Sequence, residues 1–519
     1  VSAPGRACPQ SPQHAQRRGP RAMCLLRPCW CNCLALALGS ALLQYLDTLN
    51  QAHPCGPLGS VFEAVLQTSG LQDAVWEQLA PPIQACLLKS GDARQMPLNR
   101  ISYLKAALAL LFEVQSRYIS TWQSAESYWF EREVAEFLGV RRAQFVSTGT
   151  AALVAALQAL GVGPGDEVVV PTYTWIATAS AVTVNGGIPV MADIDETLGM
   201  NPESLRAVIS PRTKAVVAVH MRGTPCNITA IKAMTDEKGL YLIEDNAQAF
   251  GASVHGKKVG TFGVVGITSI NPSKTFNAGG QGGLVWTDDE ELAVRIGWAV
   301  ENGLAPHGGV KNLPSYKRSF GSQREEVDGE VLPFAGHCFR APSEWHAAFA
   351  RSELRLLPAS TEKLVGLKAA FVDGLRPEYR RLLQRQADPG GERAYNIVLI
   401  LERQEHVGRL NEHLWQLSIP SDPGGFWPRH YLPHVKSLMN KVSFHSSGFP
   451  WTRPEDRKPL NLSDYDVSNF IMRRTLNLPV SWYYTRSMMA WMAGKCNEGL
   501  DLLTADEGSC LGTSCNYTG

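Results

Sequence analysis

The chain has 519 residues, 45% of them hydrophobic, which is enough for two packed domains and excludes a fibre or a disordered chain. Its 49 Lys and Arg stand against 48 Asp and Glu, so there is no basic surplus of the kind that drives binding to nucleic acid. The expected ligand is a small molecule.

The opening segment, 1–58, is Arg-rich and acid-poor. Arg6, Arg17, Arg18, Arg21 and Arg27 precede a largely apolar run at 29–43, an arrangement that resembles a targeting leader or signal anchor. That run is short for a membrane span and no other stretch is apolar enough to cross a bilayer, so the body is read as soluble, in the cytoplasm or an organelle. Half of the 12 cysteines, Cys8, Cys24, Cys29, Cys31, Cys33 and Cys55, precede the main body and form neither a disulfide framework nor a zinc-like spacing. No metal is expected. Residues 59–130 are mostly helical in pattern. Asn227-Ile228-Thr229 and Asn516-Tyr517-Thr518 match the glycosylation acceptor triplet, which is common by chance.

From about residue 141, short β-branched runs alternate with helical patterns. Strands are expected at 167–170, 188–192, 215–219, 240–244, 266–270 and 283–287, and helices at 151–160, 177–184, 202–209 and 228–238. This alternation predicts an α/β domain over 131–304, a parallel sheet with crossover helices. Residues 305–336 mix Gly, Pro and charge and read as a loop or insertion. Helices at 346–357 and 362–386 begin a smaller α+β domain over 337–495, followed by a tail at 496–519.

Three segments of the large domain carry chemistry. Ser147-Thr148-Gly149-Thr150-Ala151-Ala152-Leu153 is a small, polar turn running into a helix, whose unpaired N–H groups suit a phosphate; a plain N-cap by Thr148 or Thr150 explains the string as well. Leu240-Tyr241-Leu242-Ile243-Glu244-Asp245 is an apolar strand ending in two acids, at the edge where open sheets bind ligands, although such acids also cap turns. Ser269-Ile270-Asn271-Pro272-Ser273-Lys274 leads into the glycine run Ala278-Gly279-Gly280-Gln281-Gly282-Gly283. A lysine after a strand, beside hydroxyls and close-approaching backbone, suits a covalent Schiff base, whereas the default for a lysine is the surface. What lowers that default is the order of all three segments on one sheet.

Together they provide a phosphate cradle, an acid for a pyridine nitrogen and a lysine for a Schiff base, the needs of pyridoxal 5'-phosphate. Over roughly 118–491, and most densely over 145–303, the chain resembles the DegT/DnrJ type of sugar aminotransferase among the fold-type I pyridoxal phosphate enzymes. Further matching segments are Pro171-Thr172-Tyr173-Thr174-Trp175, 189–195, Val219-His220 and 244–251. The resemblance implies a mainly parallel sheet flanked by helices, with a smaller C-terminal α+β domain. It implies that Lys274 forms the aldimine and moves the proton, that Asp245 pairs with the pyridinium nitrogen and that Gln248 lies near the phenolic oxygen. Gly149, Thr150, Ala151 and Ser269 would hold the phosphate, and Trp175 would stack on the ring.

The reaction implied moves an amino group from glutamate or glutamine, through pyridoxamine phosphate, to a keto-sugar, free or nucleotide-linked, or a keto-cyclitol. Relatives that eliminate water commonly carry histidine at the lysine position, so Lys274 favours transamination over a lyase or dehydratase. A non-catalytic cofactor-binding regulator is the third reading. A homodimer is the family expectation, but Cys338 stands where the family pattern has an asparagine that reaches the neighbouring subunit's phosphate, and Val264 and Gln281 replace common acids.

Overall fold

A computed structural model describes residues 126–301, 326–327, 330–331, 339, 343–424, 429–443, 445–482 and 484–510. The leader, its cysteines, nearly all of the 59–130 segment, most of the 305–336 insertion, Cys338 and Asn516 lie outside these residues. The described residues belong to one compact unit, Ala93–Gly519.

Helix α1 (Glu126–Leu138) leads into strand β1 (Arg142–Val146), and α2 (Gly149–Ala159) follows. Then come β2 (Glu167–Pro171), α3 (Ala177–Val184), β3 (Ile188–Ala192), α4 (Pro202–Val208), β4 (Thr213–Val219), α5 (Ile228–Lys238) and β5 (Tyr241–Asp245). The large domain closes with β6 (Val265–Ser269), β7 (Gly283–Thr287) and α6 (Glu290–Glu301). The seven strands lie in the order β1-β7-β6-β5-β4-β2-β3. Every residue of β2 is buried, as expected for a strand covered on both faces. Val168 and Val170 enter the core beneath α2, whereas Val169 packs on the opposite side with Ile228 and Ile231 of α5, the alternation that a pleated strand imposes.

The sheet is mainly parallel, as expected, with one strand reversed. β7 runs antiparallel to both β6 and β1. No helix intervenes between β6 and β7, so the chain returns directly alongside the strand it has left, and the returning loop carries Lys274. Helix ends follow local chemistry. Pro202 occupies the first turn of α4, and Asn227 caps α5 by accepting the Ala230 N–H at 3.4 Å.

The C-terminal part begins with α7 (Glu344–Gly374) and continues through β8 (Asn396–Ile400), α8 (Gln404–Gln416), β9 (Asp422–Pro423), α9 (Asp466–Arg473), β10 (Thr475–Pro479) and α10 (Arg486–Cys510). β8, β10 and β9 form an antiparallel sheet whose core, with α7, α8 and α10, includes Phe371, Leu399, Leu410, Leu478 and Met489. The two helices expected at 346–357 and 362–386 are one, which passes through Pro358 on its exposed side. It stops at Gly374 rather than at 386, because Arg376, preceding Pro377, is held extended. Gln384 already bonds to the β8 edge, its N–H to Val398 O at 2.9 Å. Among the described residues no helix is long and apolar enough to cross a membrane, and no group of His, Cys, Asp or Glu could hold a metal ion.

Candidate active site

The sheet gathers its chemically distinctive side chains at the carboxyl ends of its parallel strands. β5 ends on Glu244 and Asp245, and pleating sends the two carboxylates in different directions. Glu244 is fully buried and structural. Its Oε1 accepts the N–H groups of Phe262 and Gly263, both at 2.6 Å, and its Oε2 accepts that of Gly260 at 2.7 Å. His220, also fully buried, places Nε2 3.1 Å from Glu244 Oε2 while its Nδ1 accepts the Cys226 N–H at 3.2 Å. A backbone N–H directed at Nδ1 requires a lone pair there, so the proton sits on Nε2 and is donated to Glu244.

Asp245 is 5% exposed, and its Oδ1 accepts the Ala247 N–H at 2.9 Å. Burial raises its pKa above the ordinary aspartate value; the Ala247 N–H and the charge of Lys274 act the other way. Lys274, in the loop after β6, has its own pKa lowered by burial and partly restored by Asp245. The structure thus brings the lysine and the acid into one electrostatic environment.

The start of α2 abuts the same edge. A Cβ on Gly149 would lie 2.6 Å from Ser269 Cβ, and one on Gly283 would lie 2.4 Å from the Thr148 carbonyl carbon. Only glycine permits these approaches, which bring the helix start against the end of β6 and the beginning of β7. Thr148 Oγ1 accepts the Ala151 N–H at 3.0 Å and Thr148 O accepts that of Ala152 at 3.0 Å. The Ala151 amide, expected in the phosphate cradle, is therefore taken by the cap. The Gly149 and Thr150 amides have no partner among the described residues and stand beside the Ser269 side chain. An anion fits that arrangement.

Gln248 Oε1 accepts the Arg222 N–H at 3.0 Å and the Tyr395 hydroxyl at 3.2 Å. Arg222 Nε donates to Tyr173 Oη at 2.9 Å. Trp175, 39% exposed, meets His430 with ring centroids 5.0 Å apart and planes at 56°. His430 Nδ1 is buried without a partner among the described residues. Burial, with the charges of Arg222 and Lys274, pushes its pKa down to about 4, so the ring is neutral at physiological pH. Arg222, Tyr395 and His430 come from separate segments and were missed in the sequence; only Arg222 had a signal, its place just beyond β4. Val264 bonds through its backbone, its N–H to Leu242 O at 2.9 Å and its carbonyl to Thr287 Oγ1 at 2.7 Å, and Gln281 is exposed.

The profile of the DegT/DnrJ/EryC1/StrS aminotransferase family matches residues 113–436. The chain is 45% identical over 333 residues to GDP-perosamine synthase of Vibrio cholerae, covering 63% of this chain and 84% of that protein. It is 40% identical over 238 residues to UDP-N-acetyl-3-dehydro-alpha-D-glucosamine 3-aminotransferase of Acidithiobacillus ferrooxidans, covering 46% of this chain but only 61% of the relative's length. An aminotransferase structure from Psychrobacter cryohalolentis superposes with a TM-score of 0.60 at 27% identity, covering 78% of this chain and 97% of that one.

Proposed function

Because the chain belongs to the DegT/DnrJ/EryC1/StrS aminotransferase family, we propose that it moves an amino group from glutamate or glutamine to the ketone of a sugar or cyclitol, with pyridoxal phosphate held at Lys274. The observation that carries this reading is the shared environment of Lys274 and Asp245, beside a glycine-walled helix start whose first two amides have no partner among the described residues.

Those residues fit the cofactor's needs. The Gly149 and Thr150 amides and the Ser269 hydroxyl would hold the phosphate, and Asp245 would receive the pyridine N–H. Gln248 would lie beside the ring oxygen, and Trp175 would offer its indole face to the ring. When bound, pyridoxal phosphate supplies an electron sink for the substrate carbon that gains or loses a proton. Lys274 moves that proton: burial lowers its pKa, which enlarges the neutral fraction able to act as a base. Asp245 keeps its negative charge when a cation faces it, and so holds the opposite side of the site in the state the chemistry needs.

Relatives named for UDP- and GDP-linked sugars support a nucleotide-linked keto-sugar as acceptor. The retained lysine supports transamination over elimination, and the family expectation of a homodimer goes with this reading. The test incubates the protein with pyridoxal phosphate, glutamate or glutamine, and a panel of nucleotide-linked keto-sugars and inososes. The reading expects an aminated product and an equivalent of oxo acid, both lost in Lys274→Ala. Dehydrated product formed without an amino donor would replace it with a lyase.

A further inference from the structure

We propose that the Arg222 guanidinium is the anion receptor of the substrate pocket and takes the α-carboxylate of the amino-acid donor; this deepens the reading above and rests on it. Arg222 stands just past the carboxyl end of β4 with φ 57°, a left-handed conformation that a residue with a side chain adopts only under strain. The surroundings impose it. The Arg222 N–H is bound to Gln248 Oε1, and the next carbonyl, Gly223 O, accepts the Arg393 N–H at 2.9 Å.

The side chain is 19% exposed, yet its terminal nitrogens lack the close carboxylate that Arg351 and Lys368 have. Arg351 lies 2.6 Å from both Glu126 and Glu133, and Lys368 lies 2.5 Å from Glu392. For Arg222, Nε is occupied by the neutral Tyr173 hydroxyl. The carboxylate within reach of its terminal nitrogens is Asp422 Oδ2, at 3.8 Å and on a side chain 40% exposed. That separation is beyond a hydrogen bond. A largely buried guanidinium held in place by one phenol, with no hydrogen-bonded acceptor for its terminal N–H fork among the described residues, is poised for bidentate recognition of a carboxylate.

Its location selects which carboxylate. In any amino-acid donor the α-carboxylate hangs from the carbon that bears the transferred amine, so its receptor must be near the catalytic lysine. Arg222 meets this condition: its backbone holds Gln248, and its charge and that of Lys274 both act on His430. The diphosphate of a nucleotide-linked ketone is separated from the reacting carbon by atoms of the sugar ring and would bind farther out. His430, neutral and with Nδ1 unpartnered among the described residues, adds no competing negative charge.

The experiment compares cofactor-loaded wild type, Arg222→Gln and Arg222→Lys in the donor half-reaction, using L-glutamate and its α-carboxamide, isoglutamine. Binding of glutarate, an unreactive dicarboxylate, is measured in parallel by calorimetry. The proposal expects wild type to favour the carboxylate. Arg222→Gln should lose roughly 10- to 100-fold in kcat/KM for glutamate, the worth of a charged hydrogen-bonded pair, while isoglutamine changes by less than about 3-fold. Glutarate binding should weaken by roughly 10-fold or more, and Arg222→Lys should fall between, because an ammonium keeps the charge but not the fork. A purely structural role would lower both substrates together and would overturn the assignment. So would an intact donor half-reaction with only the nucleotide-linked ketone slowed, which would place a phosphate at Arg222. Wild type that retains cofactor but reacts with no donor would remove the transaminase reading and this inference together, a result distinct from an active wild type matched by Arg222→Gln.

Discussion

Glu244→Gln separates the structural acid of β5 from the chemical one. The wild-type carboxylate faces four groups: Phe262 and Gly263 N–H at Oε1, Gly260 N–H and His220 Nε2 at Oε2. An amide has one oxygen, and its best orientation keeps that oxygen toward the two N–H groups and turns NH2 toward Gly260 and His220. The Gly260 N–H then faces a donor. His220 cannot relieve the conflict by moving its proton to Nδ1, because Nδ1 would then meet the Cys226 N–H. At least two buried donors therefore lose their acceptors, and at about 1–3 kcal/mol each the loss is about 2–6 kcal/mol. Urea unfolding of the cofactor-free protein measures it, with the slope checked for constancy so that a midpoint shift reports stability. A loss below about 1 kcal/mol, in the range of an ordinary surface substitution, would refute this account of Glu244.

Two further predictions concern buried charge. Asp245 has its folded-state pKa raised by burial, so in the cofactor-free protein its ionisation opposes folding above that pKa and has no effect at pH values below its unfolded one. Asp245→Asn, whose oxygen can still accept the Ala247 N–H, should raise the thermal midpoint of the cofactor-free protein at neutral pH, with the gain fading under acid, while transamination is lost; an equal shift at every pH would contradict the cause given. Lys368→Met strands the Glu392 carboxylate and should cost about 3–5 kcal/mol by denaturant unfolding, with most of that recovered in the double variant Lys368→Met/Glu392→Leu.

The sheet was legible because its strands are buried on both faces and so read as apolar runs such as Val168-Val169-Val170. The direction of β7 was not, since hydrophobic period carries no polarity, and the reversal depends on a loop without a helix. Lys274 and Asp245 could be singled out because one follows a strand and the other ends one, at the same edge of a single sheet. The role of Glu244 was not legible: it points to the opposite side from Asp245, and its partners lie in the later 260–263 turn. Arg222, Tyr395 and His430 converge from segments far apart in the chain, and the fate of the Ala151 amide turns on the rotamer of Thr148. Neither is encoded in local spacing. The single helix through Pro358 was hidden for a related reason, as packing of its two halves outweighs a proline on its exposed side.

The central claim is that Lys274 carries the cofactor. Borohydride reduction of the pyridoxal phosphate-loaded protein, followed by peptide mass mapping, tests it directly by fixing the cofactor to whichever amine it occupies. The account predicts one labelled peptide, bearing the group on Lys274, and no label in Lys274→Ala. Label on another lysine, such as Lys258, or undiminished labelling of the variant, would contradict it.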